Sequence, residues 1–563
     1  MAVSTAATDT GASLAIASET IDAGEDVVFD AWEALQSAVR ALSTRGNATR
    51  VGAALAGDVI RVVLGRSDID YPERDGRFAD PTWRDNSAYR RLGHIYIALC
   101  RRLEQLVDEA DLDWRSRERA RFAINVLTST VAPTNTLPGN PAAIKRAFET
   151  SGRSVGRGLR HFVKDMRENG GMPSQVDKTK FAVGENLAAT PGGVIYRDDV
   201  CEVLQYAPTT ERIRVRPVLC VPPQINKHYI ADMSPGRSLA EYMVGRGIPF
   251  FIVSWRNPDA RHRDWDLDTY AAAVLRAIEA VLQVSGSDDL DVLGLCAGGI
   301  TLTSAVNRLA ADGDERIASL SLAVTLLDLG TPTMIGMFAS PRVLELARRR
   351  SAKRGLIDAR SLASMFLWVR PNDLIWNYWV NNYLMGNDPP AFDILAWNAD
   401  GTNLPAKLHA QFLEIFADNL LVQPGALTVL GAPVDYRTIG CDLYVVGGTT
   451  DHLTPWRATY RTTQLFGGQA TFVLSNTGHV QTVVCPPGGG KAHHFVGPEP
   501  GADPDAWLSS ASRRQDTWWA HWAEWLLARS ATDRKAPTRL GNRRQPVLDA
   551  APGRYVLDQP VSG

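Results

Sequence analysis

A cysteine flanked by glycines has the residue type and the spacing of an enzyme nucleophile. Cys296 lies in the run Gly294-Leu295-Cys296-Ala297-Gly298-Gly299. An apolar, β-rich run over residues 290–293 precedes it, and a helix-compatible run over 300–309 follows it. That order of strand, sharp turn and helix is the context of a nucleophile elbow, in which small residues let the two backbones approach closely. A buried cysteine is more often an inert apolar side chain, so the catalytic interpretation depends on partners elsewhere in the sequence.

Candidate partners follow in the order in which an α/β-hydrolase sheet presents them: nucleophile, acid, histidine. Asp451 follows an apolar run over residues 443–446, and His479 follows a second run over 471–474. A neighbouring imidazole favours the thiolate, which is the reactive form of a cysteine. We therefore predict Cys296 as nucleophile, His479 as base and Asp451 as acid.

The acid and the base each have a competing candidate. Asp328 follows another strand-like run and is a rival acid, and Asp451 could instead cap a helix that starts near Pro455. His452 is a rival base, but it adjoins Asp451 in sequence and precedes the last strand, which fits the order poorly. Asp451 and His479 are preferred because only Asp451 lies one strand before a suitably placed histidine.

The backbone around the cysteine is expected to supply an oxyanion site. The N–H of Ala297 follows the nucleophile directly, and a second donor is expected from the loop after the run over 217–221. Pro222 and Pro223 have no N–H, so that donor is Val221 or a residue beyond the prolines. A thiol nucleophile suits exchange with a thioester, because the attacking and leaving groups are then alike.

The hydrophobic pattern predicts an α/β-hydrolase fold with a mostly parallel sheet. Short apolar runs separated by amphipathic helical segments indicate parallel strands joined by crossovers. The predicted strands are residues 200–206, 217–221, 249–254, 290–293, 319–327, 443–446 and 471–474. The predicted organisation is a variable tail and amphipathic helix over 1–65, a helical N-terminal domain over 66–183, and a catalytic domain over 184–563 with a helical, aromatic-rich cap inserted at about 330–440.

The composition excludes several classes of function. The chain has 563 residues with 60 basic and 62 acidic side chains, so no nucleic-acid partner is expected. Its six cysteines are scattered without a CxxC pair or a histidine cluster, so we expect no disulfide framework, no metal and no cofactor. The N-terminus lacks the features of a secretory signal, and no run approaches the roughly 18 apolar residues of a membrane span. We expect a cytoplasmic protein without a transmembrane segment.

Taken together, these residues closely resemble the polyhydroxyalkanoate synthases, which polymerise 3-hydroxyacyl-CoA into polyester. The matching stretches are RPVLCVPPQINK (216–227), SWRNPD (254–259), GLCAGG (294–299), RPNDLIWNY (370–378), FDILAWN (392–398), DHLTPW (451–456) and GHVQ (478–481). Both flanks agree as well, with DPTW at 80–83 and PGRYV at 552–556. Gln224 and the GHVQ stretch are similar to the single-chain, medium-chain-length type.

The resemblance implies a role for each predicted site residue. Cys296 would be the acylated nucleophile and His479 the base that generates the thiolate. Asp451 would pair with the imidazole or help to activate the incoming 3-hydroxyl. The implied partners are 3-hydroxyacyl-CoA, the growing polyester chain, the granule surface and a second copy in a homodimer. One departure is Cys485, where the family usually has asparagine, and a permissive loop explains it better than a second catalytic thiol.

Two other functions remain open from the sequence. A cysteine hydrolase of the dienelactone type, or a thioesterase, would have a similar elbow but would need neither the helical N-terminal domain nor the long cap. A granule-coating protein on a degenerate hydrolase fold would not need an ordered triad.

Overall fold

Helices fill the first third of the described chain, and strands and helices alternate in the rest. The computed structural model describes residues 47–73, 75–330, 341–530 and 532–559. The predicted tail and most of the predicted helix over 26–64 lie outside these residues, as does the start of the predicted cap. The helices of five or more residues are α1 (Asn47–Val63), α2 (Ser87–Asp108), α3 (Trp114–Thr130), α4 (Pro141–Glu149), α5 (Arg153–Glu168), α6 (Leu239–Gly245), α7 (Leu267–Ser285), α8 (Ala297–Ala311), α9 (Pro341–Arg354), α10 (Ala359–Val369), α11 (Asp393–Asn398), α12 (Ala406–Asp418), α13 (Trp456–Arg461), α14 (His479–Val483), α15 (Pro504–Ser510) and α16 (Trp518–Arg529).

One large sheet carries the residues of interest. Its strands are β1 (Gly192–Arg197), β2 (Cys201–Tyr206), β3 (Val218–Val221), β4 (Phe250–Trp255), β5 (Leu290–Leu295), β6 (Ile317–Ala323), β7 (Asp442–Gly448), β8 (Ala470–Ser475), β9 (His493–Val496), β10 (Ser512–Gln515) and β11 (Asp549–Ala550). The spatial order is β10-β9-β8-β7-β6-β5-β3-β4-β2-β1-β11. The six central strands are parallel to one another: β8, β7, β6, β5, β3 and β4. The strands towards both edges pair antiparallel, β9 and β10 on one side and β2, β1 and β11 on the other.

The seven predicted strands all belong to this sheet. Strands β4 and β5 are buried along their whole length, which explains why β4 is an almost continuous apolar run. In β5 the buried Asp291 interrupts the apolar residues and accepts from the Ser319 hydroxyl at 2.6 Å. The predicted run over 319–327 was too long, because β6 ends at Ala323. Val324 has φ of 47°, so the chain leaves the extended conformation directly after the strand.

The chain divides into two compact units, each defined by the contacts within it. One comprises the residues up to 177 together with 360–392, and the other comprises 178–359 and 393–563. The predicted domain bounds, with one insertion over about 330–440, differ from this division and stay a prediction. None of the helices in the described part is both long and apolar enough to cross a lipid bilayer.

Aromatic side chains hold residues 360–392 within the first unit. The Trp379 indole N–H donates to the Asn135 carbonyl at 3.0 Å, and the Tyr383 hydroxyl donates to Asp165 at 2.7 Å. The ring of Phe162 lies edge-on to both Trp379 and Tyr383. Trp379 and Tyr383 are both buried, so their rings belong to the core of this unit.

The turn between β5 and α8 depends on glycines because the backbones touch there. A Cβ at Gly294 would lie 2.5 Å from the Gly299 Cα, and a Cβ at Gly298 would lie 2.3 Å from the Val221 carbonyl oxygen. A Cβ at Gly299 would lie 2.3 Å from the Thr325 hydroxyl. At Gly298 the opposing atoms are backbone, which cannot rotate away. The sequence interpretation of these glycines as close-approach positions is therefore confirmed.

We expect Gly298→Ala to lower the free energy of unfolding by about 1–3 kcal/mol, because the added methyl overpacks a backbone contact. Gly52→Ala is the matched control, since this glycine lies inside α1 with no atom within 4 Å of the added Cβ. That change should be neutral or stabilise by up to about 1 kcal/mol through helix propensity. Urea unfolding of both variants measures the difference, and equal stabilities would contradict this account of the turn.

Candidate active site

Cys296 lies at the tip of the turn, in a conformation that side chains rarely adopt. It directly precedes α8, with φ of 49° and ψ of −125°. Its N–H donates to the Ala323 carbonyl at 3.0 Å, and the Thr325 hydroxyl donates to its carbonyl at 3.2 Å. The residue is half-buried. Strained backbone of this kind, held by its surroundings, is characteristic of functional sites and presents the sulfur at the carboxyl end of β5.

His479 is the first residue of α14, shortly after β8. Its Nδ1 lies 2.7 Å from Asp451 Oδ2, and 12 % of its side chain is exposed. The indole N–H of Trp518, in α16, donates to the Thr482 carbonyl at 2.6 Å. This bond satisfies a carbonyl in the short helix, which has few internal hydrogen bonds of its own, and fixes the helix that carries the imidazole.

The Asp451 carboxylate is fully buried, and both of its oxygens accept hydrogen bonds. Oδ1 accepts from the backbone N–H groups of Leu453 and Thr454, both at 2.9 Å. Oδ2 accepts from the Thr454 hydroxyl at 2.7 Å and is bonded to His479 at the same distance. The side chain has an exposed fraction of 0 %. Asp451 therefore closes the turn before α13 and is bonded to the imidazole. The alternative that it caps the helix is wrong, because Pro455 is the N-cap of α13 and no side chain caps that helix.

His479 and Asp451 each shift the pKa of the other towards the charged form. Burial by itself lowers the pKa of the His479 imidazole, but its interactions with the Cys296 sulfur and the Asp451 carboxylate outweigh burial and raise the pKa to about 10. Burial by itself raises the pKa of the Asp451 carboxyl, while hydrogen bonds from His479 and Thr454 hold this pKa below its ordinary value. An imidazole with this pKa keeps its proton at neutral pH.

The rival acid lies in a different network. Asp328 is buried, and its oxygens accept from the Arg461 Nε at 2.6 Å, the Asn419 side-chain amide at 3.0 Å and the Gly330 N–H at 2.8 Å. The imidazole bonded to Asp451 is that of His479 rather than that of the half-buried His452. The structure thus brings together Cys296, His479 and Asp451.

The two predicted oxyanion donors lie on adjoining segments. Val221 ends β3 and pairs with Gly294 of β5, while Ala297 begins α8. The loop after β3 is fixed against the nucleophile helix, since Gln224 donates to the Thr301 hydroxyl at 2.6 Å. The indole N–H of Trp255 holds the same loop through the Pro222 carbonyl at 2.8 Å.

Two positioning residues escaped the sequence analysis. Thr454 had a readable signal, because an Asp followed by Thr three positions later, just before a proline, is a capping pattern. Trp518 had none, since the bond from its indole to the His479 helix depends on how α16 packs. The tryptophans of this helix are all buried: Trp518, Trp519, Trp522 and Trp525.

Cys485 differs from Cys296 in its surroundings. It follows α14 and is half-buried, and burial raises the pKa of its thiol, with the nearby Asp516 charge adding to the rise. A raised thiol pKa disfavours the nucleophilic form at neutral pH.

Comparisons with known proteins agree with this geometry. Residues 74–243 match the family model described as poly-beta-hydroxybutyrate polymerase (PhaC) N-terminus, and residues 217–484 match the model for the alpha/beta hydrolase fold. Together the two models span both the helical region and the sheet that carries Cys296. The predicted fold class is confirmed.

Full-length relatives extend the similarity over most of the chain. The chain is 47% identical over 498 residues to poly(3-hydroxyalkanoate) polymerase 1 of Ectopseudomonas oleovorans, covering 88% of this chain and 89% of that protein. It is 45% identical to poly(3-hydroxyalkanoate) polymerase 2 of the same organism, covering 90% of each. It is 39% identical to the polymerase subunit PhaC of Cupriavidus necator, covering 87% of this chain and 84% of that protein. With relatives this similar over nearly their whole length, the chain belongs to the poly(3-hydroxyalkanoate) polymerase family, whose members are acyltransferases.

Proposed function

We propose that this chain polymerises (R)-3-hydroxyacyl-CoA thioesters into polyhydroxyalkanoate, with release of CoA, through an acyl group on Cys296. The observation that carries the proposal is the contact network in which His479 interacts with both the Cys296 sulfur and the buried Asp451 carboxylate. A thiol, an imidazole and an orienting carboxylate are the parts of covalent acyl transfer.

In the first step, the Cys296 thiolate attacks the thioester carbonyl of the substrate. The carbon–sulfur bond to CoA breaks, and the leaving thiolate takes the proton held by the His479 imidazolium. One thioester replaces another, so the exchange is nearly balanced in free energy. Developing negative charge on the carbonyl oxygen is stabilised by the Ala297 N–H and by a donor at Val221 or in the loop beyond the prolines.

In the second step, a 3-hydroxyl group attacks the acyl-cysteine. The neutral imidazole of His479 accepts the hydroxyl proton, a carbon–oxygen ester bond forms, and the bond to the Cys296 sulfur breaks. The same groups that released CoA are thereby restored to their starting charges.

Asp451 acts in this scheme on the imidazole rather than on the substrate. Its two oxygens already accept from two N–H groups, one hydroxyl and the His479 ring, and its side chain has no exposed surface. A substrate hydroxyl would have to displace one of these donors. Of the two roles that the resemblance implied, orientation of His479 is the better supported.

The finer proposals concern partners and location. We propose a cytoplasmic enzyme that works at the surface of polyester granules and pairs as a homodimer, as the resemblance implies. The cap insertion over about 330–440 stays a prediction.

A cysteine thioesterase is the second candidate, favoured by the match of residues 217–484 to the general hydrolase fold. The two functions differ in the acceptor of the acyl group, which is a hydroxyl in the synthase and water in the thioesterase.

Purified protein incubated with 3-hydroxybutyryl-CoA or 3-hydroxydecanoyl-CoA should release thiol and become turbid. Cys296→Ala should lower thiol release by at least about 10⁴-fold, because the nucleophile is lost. Cys485→Ala is the matched thiol control and should retain the activity. Thiol release with free acid and no turbidity would indicate the thioesterase, and turnover by Cys296→Ala would remove the proposed mechanism.

Substitution of each carboxylate distinguishes Asp451 from its rival Asp328 as the acid of the site. Asp451→Asn should lower the rate of thiol release by on the order of 10²–10⁴-fold, since the imidazole loses its orienting acceptor. Asp328→Asn removes a carboxylate bonded to Arg461 and should change thermal stability more than the rate. Steady-state kinetics and thermal unfolding of both variants measure this, and a larger rate loss in Asp328→Asn would reverse the assignment.

The His479 imidazole should titrate near pH 10 instead of near its ordinary pKa of about 6.5. Because the pKa of the folded state is the higher one, the stability from the protonated ring is fully present below about pH 6.5 and is lost as the pH rises through about 10. NMR titration of labelled histidines measures the midpoint. Cys296→Ala should lower it and Cys485→Ala should not; a wild-type midpoint near 6.5 would exclude the ion pair.

A further inference from the structure

Helix α5 carries a row of apolar side chains that the fold leaves exposed. The exposed fractions are 39% for Val155, 62% for Leu159, 38% for Val163 and 40% for Met166. Their spacing of four, four and three residues places all four on one face of the helix. Scattered exposed apolar residues need no explanation, but a continuous row along a helix does.

This row is distinct from the face by which α5 packs on its own unit. The buried residues of the helix are Ser154, Gly158 and Asp165. A Cβ at Gly158 would lie 1.8 Å from the Tyr383 carbonyl oxygen, so the helix rests directly on that backbone. Asp165 accepts from the Tyr383 hydroxyl at 2.7 Å. The helix is therefore anchored by one face while the apolar row points elsewhere.

A row of basic side chains lies beside the apolar one. Arg153, Arg160, Lys164 and Arg167 are exposed, and Arg157 is half-buried. At about 100° per residue, these five positions occupy the sector next to the apolar row. Going round the helix, the order is packed face, exposed apolar row, exposed basic row.

We call the apolar row and the basic row together the α5 surface.

From this arrangement we propose that the α5 surface binds an anionic phospholipid surface, with the apolar row inserted among the acyl chains and the basic row on the headgroup phosphates. A helix with an apolar face and Lys/Arg on the polar side is the pattern of an interfacial helix. Here the third side of the helix is fixed to the protein, so binding needs no folding of the segment.

The chemistry of the surface argues against two other occupants. In an antiparallel symmetric pair of copies the basic rows would meet, and α5 has five basic and two acidic residues, so the copies would repel at low salt. A nucleic acid would satisfy the basic row but leave the aliphatic row in water. Only a surface that is anionic outside and apolar beneath satisfies both rows.

The test is cosedimentation of the full-length protein with vesicles of phosphatidylglycerol and, separately, of phosphatidylcholine. We expect binding to the phosphatidylglycerol vesicles at least tenfold tighter, and weakened by salt. Leu159→Gln with Val163→Gln, and separately Arg160→Gln with Lys164→Gln, should each weaken this binding at least tenfold. Leu548→Gln with Leu557→Gln is the matched control, because these leucines are 48% and 54% exposed in the other unit.

Circular dichroism and thiol release from 3-hydroxydecanoyl-CoA, measured without vesicles, show that each variant is folded and active. Equal binding to both vesicle types would overturn the proposal, as would wild-type binding by the Leu159/Val163 variant. Binding to polyester particles but not to vesicles would overturn it too. Light scattering that shows this variant as a monomer where the wild type is a dimer would identify the surface as a contact between copies.

Discussion

The whole site depends on holding one backbone conformation that is unfavourable for its residue. Cys296 has positive φ, a region that cysteine rarely occupies, and neither a helix nor a strand would present its sulfur in this way. The cost is offset by packing, because glycines at positions 294, 298 and 299 let β5, α8 and the end of β3 touch. The same close contacts therefore form the sharp turn that exposes the thiol and fix the β3 loop beside it.

The second requirement is that the His479 imidazole, the proton acceptor, is held in place. A chain of hydrogen bonds through Asp451 and Thr454 does this. The Asp451 carboxylate is fixed by the turn that contains Thr454, and it fixes His479 in turn. Because every donor in this series is buried or half-buried, the groups interact through a medium less polar than water, which strengthens each bond. Burial by itself lowers the pKa of His479, and its interactions with the Cys296 sulfur and the Asp451 carboxylate raise it.

Much of this was predictable from residue types and spacing, because the relevant signals are local. Short stretches of sequence are enough to recognise the elbow glycines, the apolar runs of the parallel strands, and Cys296, Asp451 and His479 in their order. Strands β1, β9, β10 and β11 were missed. The last three are short and only partly buried and so lack an apolar run, and the apolar run of β1 is only three residues long. The bonds of Trp518 and Tyr383 join segments far apart in the chain, and no local pattern encodes them. The domain bounds, the oxyanion donors and the catalytic roles stay predictions.

The bond between Trp518 and the His479 helix has a consequence for the chain while it is being made. The elbow with Cys296 and the strands around it are synthesised well before residue 518. Until α16 has left the ribosome and packed, the Thr482 carbonyl lacks its indole partner and the short helix with the imidazole is not fixed. In a nascent chain the helix that carries the imidazole is therefore fixed only after α16 has emerged and packed.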